Sequence, residues 1–370
     1  MRRFCSIAAL LLIAAGAWAQ SDQWEFRFGP QFWGVTVAGR YMLEPPSADD
    51  VETSITGLLS PAYQSTGYYR TDEGGLYTVP EDGDDPEVTS YNRFDLVWQL
   101  GVQQGIFDRG GDDADTAVGF LLYRGQYDLP FRDDAQLFFA SGLPETDSSI
   151  RGSIVGGVAY REIAKNDVTR VQQGIAGELA LEWGPPFLHN QLLGEADYNR
   201  TTLTLRGYLP LYEAEPVRGR NRFSAYLAAF SVVDWANGPQ IPQTIRATTG
   251  GRSVRSATGG SVRGYRSGRF DATFKTVGNV EARLSLPAIV LPGIVPGLVV
   301  YTDGGWFYDA SQTSPVAVEN SGTLLSSGAG FYLDLFDAAT LVFYTNYLWT
   351  ETDVAGERWV PFSLGFGFHY

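Results

Sequence analysis

The sequence predicts an all-β protein, a transmembrane antiparallel β-barrel, and three observations support this prediction. Segments in which apolar residues alternate with small or polar ones recur along the chain, as in strands whose two faces meet different surroundings. The 43 glycines and 14% aromatic residues suit such a barrel. After residue 20 the sequence has no long amphipathic helical pattern and no 18-residue apolar run. Strands are then the remaining way to cross a membrane.

The clearest alternation closes the chain in "PFSLGFGFHY", and similar patterns occur at 93–101, 201–211, 279–286 and 329–335. A soluble β-sandwich also alternates, but its second face is usually rich in Lys, Glu and Thr. Here that face is rich in Gly, Tyr, Asn, Asp and Arg, which favours the barrel. Aromatic residues recur at predicted strand ends and predict interfacial girdles, namely Trp183, Trp235, Trp306, Tyr308, Trp349 and Trp359.

Residues 1–19 are predicted to be a secretory signal peptide, and residues 20–370 the barrel. Arg2 and Arg3 precede an apolar run too short to span a membrane, and small residues follow it. Removing this segment leaves 25 basic and 42 acidic residues, a net charge of −17. This balance argues against a nucleic-acid partner. Removal of residues 1–19 also removes Cys5, the single cysteine, so disulfides and thiolate chemistry are not expected. The predicted location is the outer membrane of a Gram-negative cell.

The strand count is predicted to be sixteen, with twelve or fourteen as alternatives. Dividing 351 residues by sixteen leaves about 22 for each strand and its connection, while a spanning strand needs roughly 9–11. The Pro/Gly-rich stretch 286–297 is predicted to be a short periplasmic connection. Residues 43–90 could form a large loop or a plug. The acidic stretches 81–87 and 110–115 lack a calcium-loop spacing and are interpreted as solvated loops.

Catalytic and metal sites are not expected. The only histidines, His189 and His369, lack the neighbours of a Ser–His arrangement and do not form a pair at zinc-ligand spacing. No cofactor is predicted. We therefore expect a protein that is not an enzyme, with an outer-membrane lipid hydrolase as the weakest of three hypotheses.

The basic stretch 250–270, "GGRSVRSATGGSVRGYRSGRF", stands out in this acidic chain because it holds five arginines and no acidic residue. It could be a flexible outer loop or a patch that binds lipopolysaccharide phosphates. A third reading folds it into the barrel with Arg263 paired to a lumen carboxylate, since a buried guanidinium must be paired. Alternation places Asp303 and Glu281 on inward faces, which makes them the candidate partners.

The same residues resemble the carboxyl-terminal barrel of the BamA/TamA superfamily, also called bacterial surface antigens. "SVRGY" (261–265), "NVEARLSLP" (279–287) and "YTDGG" (301–305) carry the resemblance, which is firmest over 250–370. It implies a sixteen-stranded barrel with a lumen-inserted loop whose motif is Val262, Arg263, Gly264 and Tyr265. It also implies an aromatic-x-Asp-x-Gly partner, matched by Tyr301, Asp303 and Gly305. The chain end resembles a signal read by the barrel assembly machinery, carried by Ser363, Gly365, Phe368 and Tyr370.

The function implied by this resemblance is protein or lipid insertion or translocation. Strand-like sequence begins at residue 24, almost at the predicted cleavage site, so a branch without periplasmic POTRA domains is expected. The alternative is a passive pore or structural barrel without insertase activity. Expected partners are outer-membrane lipids and lipopolysaccharide, the assembly machinery during biogenesis, and a protein or lipid client.

Overall fold

A computed structural model gives the fold as one closed antiparallel sheet, in which each strand pairs with its neighbours in the sequence and β1 pairs with β14. The structure describes residues 23–29, 32–43, 51–67, 90–107, 116–132, 147–166, 169, 171–190, 196–215, 223–246, 262–265, 272–288, 293–309, 321–335, 339–350 and 358–369. The predicted signal peptide, both acidic stretches and Tyr370 lie outside these residues. No helix in the described ranges is long and apolar enough to cross a membrane.

Fourteen strands lie within the described residues. They are β1 (Gln23–Gly29), β2 (Phe32–Met42), β3 (Thr53–Gly67), β4 (Ser90–Phe107), β5 (Ala117–Phe131), β6 (Ser149–Lys165), β7 (Gln172–Gly184), β8 (Asp197–Glu213), β9 (Ser224–Gln240), β10 (Phe274–Ser285), β11 (Ile294–Tyr308), β12 (Ser321–Leu335), β13 (Ala339–Leu348) and β14 (Trp359–His369). A single-turn α-helix, α1 (Gln243–Arg246), follows β9, and a π-helical turn (Pro186–Asn190) follows β7.

The described strands number two fewer than the sixteen predicted and match one of the alternatives. Individual strands are longer than a membrane crossing requires: β4 has 18 residues, and β6, β8 and β9 have 17 each. Because each strand takes more residues than expected, the chain forms fewer strands than the sixteen predicted. Residues 43–90, left open as a loop or plug, contribute the 15-residue β3 to the wall. Of the predicted connection 286–297, residues 294–297 belong to β11.

The two rims of the barrel differ in the length of their connections. Those after β3, β5, β7, β9, β11 and β13 run 10 to 33 residues, and β1 and β2 are joined at the same rim by two residues. Those after the even-numbered strands run 3 to 10 residues. We call these the long-connection rim and the short-connection rim. The chain begins β1 and ends β14 at the short-connection rim.

The alternation predicted from the sequence matches the two faces of the wall. On β8, Leu203, Leu205 and Leu209 point outward and are 37–58% exposed, whereas Thr202 and Thr204 point into the lumen and are 5% exposed. The same division holds on β11, where outward Val300 is 56% exposed and the alternate residues are buried. An apolar exterior around a polar interior is the pattern of a barrel surrounded by lipid, not of a sandwich.

Exposed aromatic side chains form two bands on the exterior. The six predicted girdle residues are 39–56% exposed and all lie near the long-connection rim. A second band lies near the short-connection rim and consists of Tyr41, Phe107, Tyr212 and Phe223. Thr201 pairs with Trp235 of the first band, and Tyr212 follows eleven residues later on β8. At about 3.3 Å per residue and a tilt of roughly 40°, the bands are about 28 Å apart, close to a hydrocarbon core.

Candidate functional site

The candidate site is inside the barrel, where residues 262–265 lie against the lumen wall. We call these four residues the lumen segment; they belong to the 33-residue connection between β9 and β10. Val262 is 2% exposed and anchors the segment in an apolar cluster on the inner faces of four strands. The cluster also contains Phe230, Val232, Ala272, Val277, Phe307 and Leu324. Apolar burial therefore fixes the segment where its neighbour Arg263 meets the charged part of the wall.

Arg263 binds the two carboxylates that the sequence singled out. Its Nε and Nη2 donate to the two oxygens of Asp303 at 2.7 and 2.6 Å, and its backbone N–H donates to the same carboxylate at 3.0 Å. Its Nη1 donates to Glu281 Oε1 at 2.6 Å. The side chains of Asp303 and Glu281 are 0% and 2% exposed, and that of Arg263 is 9% exposed. Forked pairing of this kind is the geometry that makes a buried guanidinium tolerable.

Two tyrosines complete the surroundings of the guanidinium. The Arg263 Cζ lies 3.5 Å from the ring centroid of Tyr301 and 5.6 Å from that of Tyr344. The two rings meet edge to face at 5.7 Å. Burial opposes the charge, but the hydrogen bond with Asp303 and the charges of both carboxylates raise the pKa of Arg263 above its ordinary value. The arginine therefore stays cationic at every working pH.

A second arginine balances the charge of the site. Arg283 Nε donates to Glu281 Oε2 at 2.7 Å, so the two oxygens of this carboxylate serve two different arginines. Arg283 also donates to the Tyr226 hydroxyl at 3.3 Å. Two cations thus face two anions, and the formal charge of the quartet is zero. A neutral, hydrogen-bonded group is the arrangement in which buried ions cost least.

The last two residues of the lumen segment contact β12, β13 and Thr350, which lies two residues beyond β13. Gly264 has φ of +92°, and a Cβ added there would lie 2.7 Å from Leu348 and 2.9 Å from Asn346. Only glycine suits both this backbone conformation and this spacing. The Tyr265 hydroxyl bonds to Thr350 Oγ1 at 2.8 Å and donates to the Leu325 carbonyl oxygen at 3.1 Å.

The structure brings most of the predicted site residues together around Arg263, but Gly305 lies at the apolar cluster instead. Gly305 is buried two residues beyond Asp303 and pairs with Val277 on β10 and Leu324 on β12. It therefore lies at the apolar cluster around Val262. The histidines are separated by topology, because His189 follows β7 at the long-connection rim and His369 ends β14 at the other.

The predicted carboxyl-terminal signal lies on the last strand. Within β14, Ser363 pairs with Tyr344 and Gly365 pairs with Val342, while Phe368 pairs with both Ala339 and Phe26. Phe368 therefore lies where the last strand meets the first. The β1–β14 seam consists of four residue pairs, compared with fifteen between β11 and β12. It is the shortest strand pairing among the described residues.

One glycine that the sequence did not mark makes the tyrosine contact possible. Gly328 on β12 pairs directly with Tyr301, and the Tyr301 hydroxyl passes over it to donate to the side-chain oxygen of Asn346 on β13. A Cβ at Gly328 would lie 2.5 Å from that hydroxyl and closer still to the Thr345 carbonyl oxygen. The inward alternation of β12 indicates the position of Gly328. Its role depends on the register between strands, which sequence alone does not supply.

We therefore expect Gly328→Ala to weaken the barrel by about 1–3 kcal/mol, because the added methyl group displaces Tyr301 from Asn346. The measurement is the temperature at which the folded band is lost in semi-native electrophoresis. Gly304→Ala is the matched control, since a Cβ at outward-facing Gly304 has no neighbour closer than 3.9 Å. Equal melting temperatures for the two variants would contradict the assigned role of Gly328.

A second group of buried charges, also missed from the sequence, holds α1 in the lumen near the long-connection rim. The Lys275 ammonium donates to the carbonyl oxygens of Ile245 and Arg246, and Arg246 pairs with Asp309 at 3.0 Å. Ile245 packs into an apolar cluster containing Ala196, Tyr198 and Ala236. The connection between β9 and β10 is thus attached inside the barrel at two places, α1 and the lumen segment.

Comparison with known structures agrees with this architecture. The closed sheet with its lumen-inserted segment is a β-barrel whose fold is similar to that of BamA. The structure of BamA from Haemophilus ducreyi lacking POTRA domains 1–3 matches with a TM-score of 0.53 at 12% identity, covering 95% of this chain and 70% of that one. CdiB from Escherichia coli gives a TM-score of 0.49 at 14% identity, with 94% and 62% covered. No family model matches the sequence, and no curated protein does.

Proposed function

We propose that the protein is an integral outer-membrane β-barrel of the BamA/TamA type that aids insertion or translocation of a protein or lipid client. An apolar wall bounded by two aromatic bands supports the membrane location. The likeness of fold to BamA supports the type of barrel. The functional part of the proposal rests on the β1–β14 seam. β14 has eleven residues, and in the part of the chain that the structure describes only Phe366, Gly367, Phe368 and His369 pair with β1.

A short seam is chemically useful because strand edges carry unpaired backbone donors and acceptors. Residues 359–365 of β14 pair with β13 on one side, except Pro361 and Phe362, and have no β1 partner on the other within the described residues. A client strand could add to such an edge by backbone hydrogen bonding. Few pairs must separate to extend the edge. We therefore assign client entry to the boundary between β1 and β14.

The interior is less suited to the alternative, a passive pore. At the level of the lumen segment, Arg263, Asp303 and Glu281 are buried against each other instead of lining an open channel. The cavity beside Glu281 and Arg283 holds only about 10 Å³, close to the volume of one water probe. The lumen segment thus fills space that an open channel would need at this level.

The test locks the seam with a disulfide. Arg27 and Gly367 are register partners across β1 and β14, and the chain has one native cysteine, Cys5. We expect Arg27→Cys with Gly367→Cys to reduce the outer-membrane protein or lipid content of cells that depend on this barrel, and reductant to restore it. The control pair is Val280→Cys with Thr302→Cys, register partners on β10 and β11.

The control lock is expected to leave the membrane composition unchanged. If the seam lock also leaves it unchanged, or if removing the protein altogether does, insertion at the seam is wrong. Ion conductance of the purified barrel in planar bilayers that is unaffected by the seam lock, together with unchanged membrane composition, would favour the passive pore.

A further inference from the structure

The pairing of β13 with β14 contains an irregularity whose cause is visible in the sequence. Tyr344 pairs with Ser363 and Asn346 pairs with Val360, so a single residue on β13 faces two on β14. The two are Pro361 and Phe362. Proline has no N–H to donate to a sheet, so its place in a strand is an edge or a bulge. The register of the last strand therefore changes at this point.

The residue opposite the bulge is held from the lumen side. The carbonyl oxygen of Thr345 accepts a hydrogen bond from the Tyr301 hydroxyl at 3.4 Å, and the same hydroxyl donates to the Asn346 side chain. Tyr301 is the ring on which Arg263 stacks. Gly264 packs against Asn346 from the same side. The bulge is thus contacted through Tyr301 and through Gly264 itself.

The strand is also held beyond the bulge. Leu348 is 2% exposed and lies against Gly264, and the Tyr265 hydroxyl bonds to Thr350 at 2.8 Å. Thr350 Oγ1 in turn accepts the Leu325 backbone N–H of β12 at 3.0 Å. On the other side of Thr345, the Arg263 Cζ lies 5.6 Å from the ring centroid of Tyr344. The lumen segment therefore contacts β13 on both sides of the residue where its register with β14 changes.

We infer that the lumen segment fixes the register of β13 against β14 and thereby controls how firmly the last strand is held at the seam. Glu281 and Asp303 attach the segment to β10 and β11. Gly264 extends that attachment to β13, and Tyr265 extends it to Thr350, two residues past the end of β13. β14 has β13 on one edge and the four-pair seam on the other. Loosening the segment frees β14 from the side opposite the seam. The inference concerns the barrel itself and holds whether or not a client enters there.

The experiment is amide hydrogen exchange of the folded barrel in detergent micelles, read by mass spectrometry for each strand. Tyr265→Phe removes one hydroxyl and keeps the ring that packs on the Val262 cluster. We expect exchange in peptides from 339–369 to become about three- to tenfold faster, and β9 to β11 to stay unchanged. The matched control is Tyr198→Phe, which removes a buried tyrosine hydroxyl bonded to Glu182 at 2.9 Å on another part of the wall.

The control variant is expected to leave peptides 339–369 unchanged. Thr350→Val removes the partner oxygen, so its effect and that of Tyr265→Phe should not add in the double variant. Unchanged exchange in β13 and β14 for Tyr265→Phe would overturn the inference, as would equal acceleration in all strands. None of these readouts depends on a client. The exchange experiment can therefore overturn this inference while the seam-lock experiment supports the proposed function, and the seam lock can overturn the proposed function while this inference holds.

Discussion

Replacing Arg263 by alanine is expected to cost the barrel about 3–5 kcal/mol, enough to remove its heat-resistant folded band or to stop its assembly. The reason is the burial of the groups left behind: the Asp303 and Glu281 side chains are 0% and 2% exposed. Glu281 keeps Arg283, but Asp303 loses both hydrogen bonds from the Arg263 side chain and keeps at most the one from the backbone N–H. A carboxylate buried without its cation is among the most destabilising single changes.

Three further variants serve as comparisons for Arg263→Ala. The stability of Arg263→Lys is expected to lie between that of the unchanged barrel and that of Arg263→Ala, because one ammonium cannot reproduce a guanidinium that binds two carboxylates. Arg358→Ala, at an exposed arginine, is expected to change little. Asp303→Ala should destabilise the barrel on its own. The double variant with Arg263→Ala should be no less stable than either single variant. Losses that simply add in this double variant would contradict the pairing.

The second large effect is expected at Lys275, a fully buried lysine. Its ammonium donates to the two carbonyl oxygens that end α1 and lies 3.8 Å from Asp234. Lys275→Met keeps the length of the side chain but removes the ammonium donor from both carbonyl oxygens, for a loss of about 2–4 kcal/mol. The Arg246 carbonyl oxygen keeps the Ala272 N–H at 3.2 Å. Asp234 keeps a bidentate partner in Arg200, at 2.8 and 2.5 Å. The change therefore acts mainly on α1.

Detachment of α1 can be measured directly by limited trypsin digestion. The connection between α1 and β10 contains several arginines, and cleavage there is expected to accelerate in Lys275→Met. The chain offers a matched control in Lys165→Met, since Lys165 is the other lysine and is exposed. Faster digestion in the control, or no change in Lys275→Met, would show that α1 is held by other contacts.

The sequence was most informative where a single strand carries the information. Alternation along β10 and β11 was enough to put Glu281 and Asp303 on the inner face, and charge then limited the partners of Arg263. The roles of Gly328 and Asn346 were beyond such reasoning, because they depend on which residues lie side by side on different strands. Pro361 is visible in the sequence, but the residue facing its bulge is not.

The strand count and α1 were missed for other physical reasons. Alternation identifies a strand but does not say where it stops, and strands of 17 or 18 residues lowered the number the chain could form. The four residues of α1 are too few to show a helical period. Their conformation is fixed by Lys275 and the lumen wall, contacts made across the barrel and not along the sequence.

The balanced quartet of Arg263, Arg283, Asp303 and Glu281 bears on ion selectivity. While Arg263 is in place, the two positive and two negative charges of this quartet cancel. Withdrawal of the lumen segment removes one positive charge, so the wall left behind carries a formal charge of −1. Arg263 thus sets the charge of this quartet, and the three side chains left by its departure would attract cations.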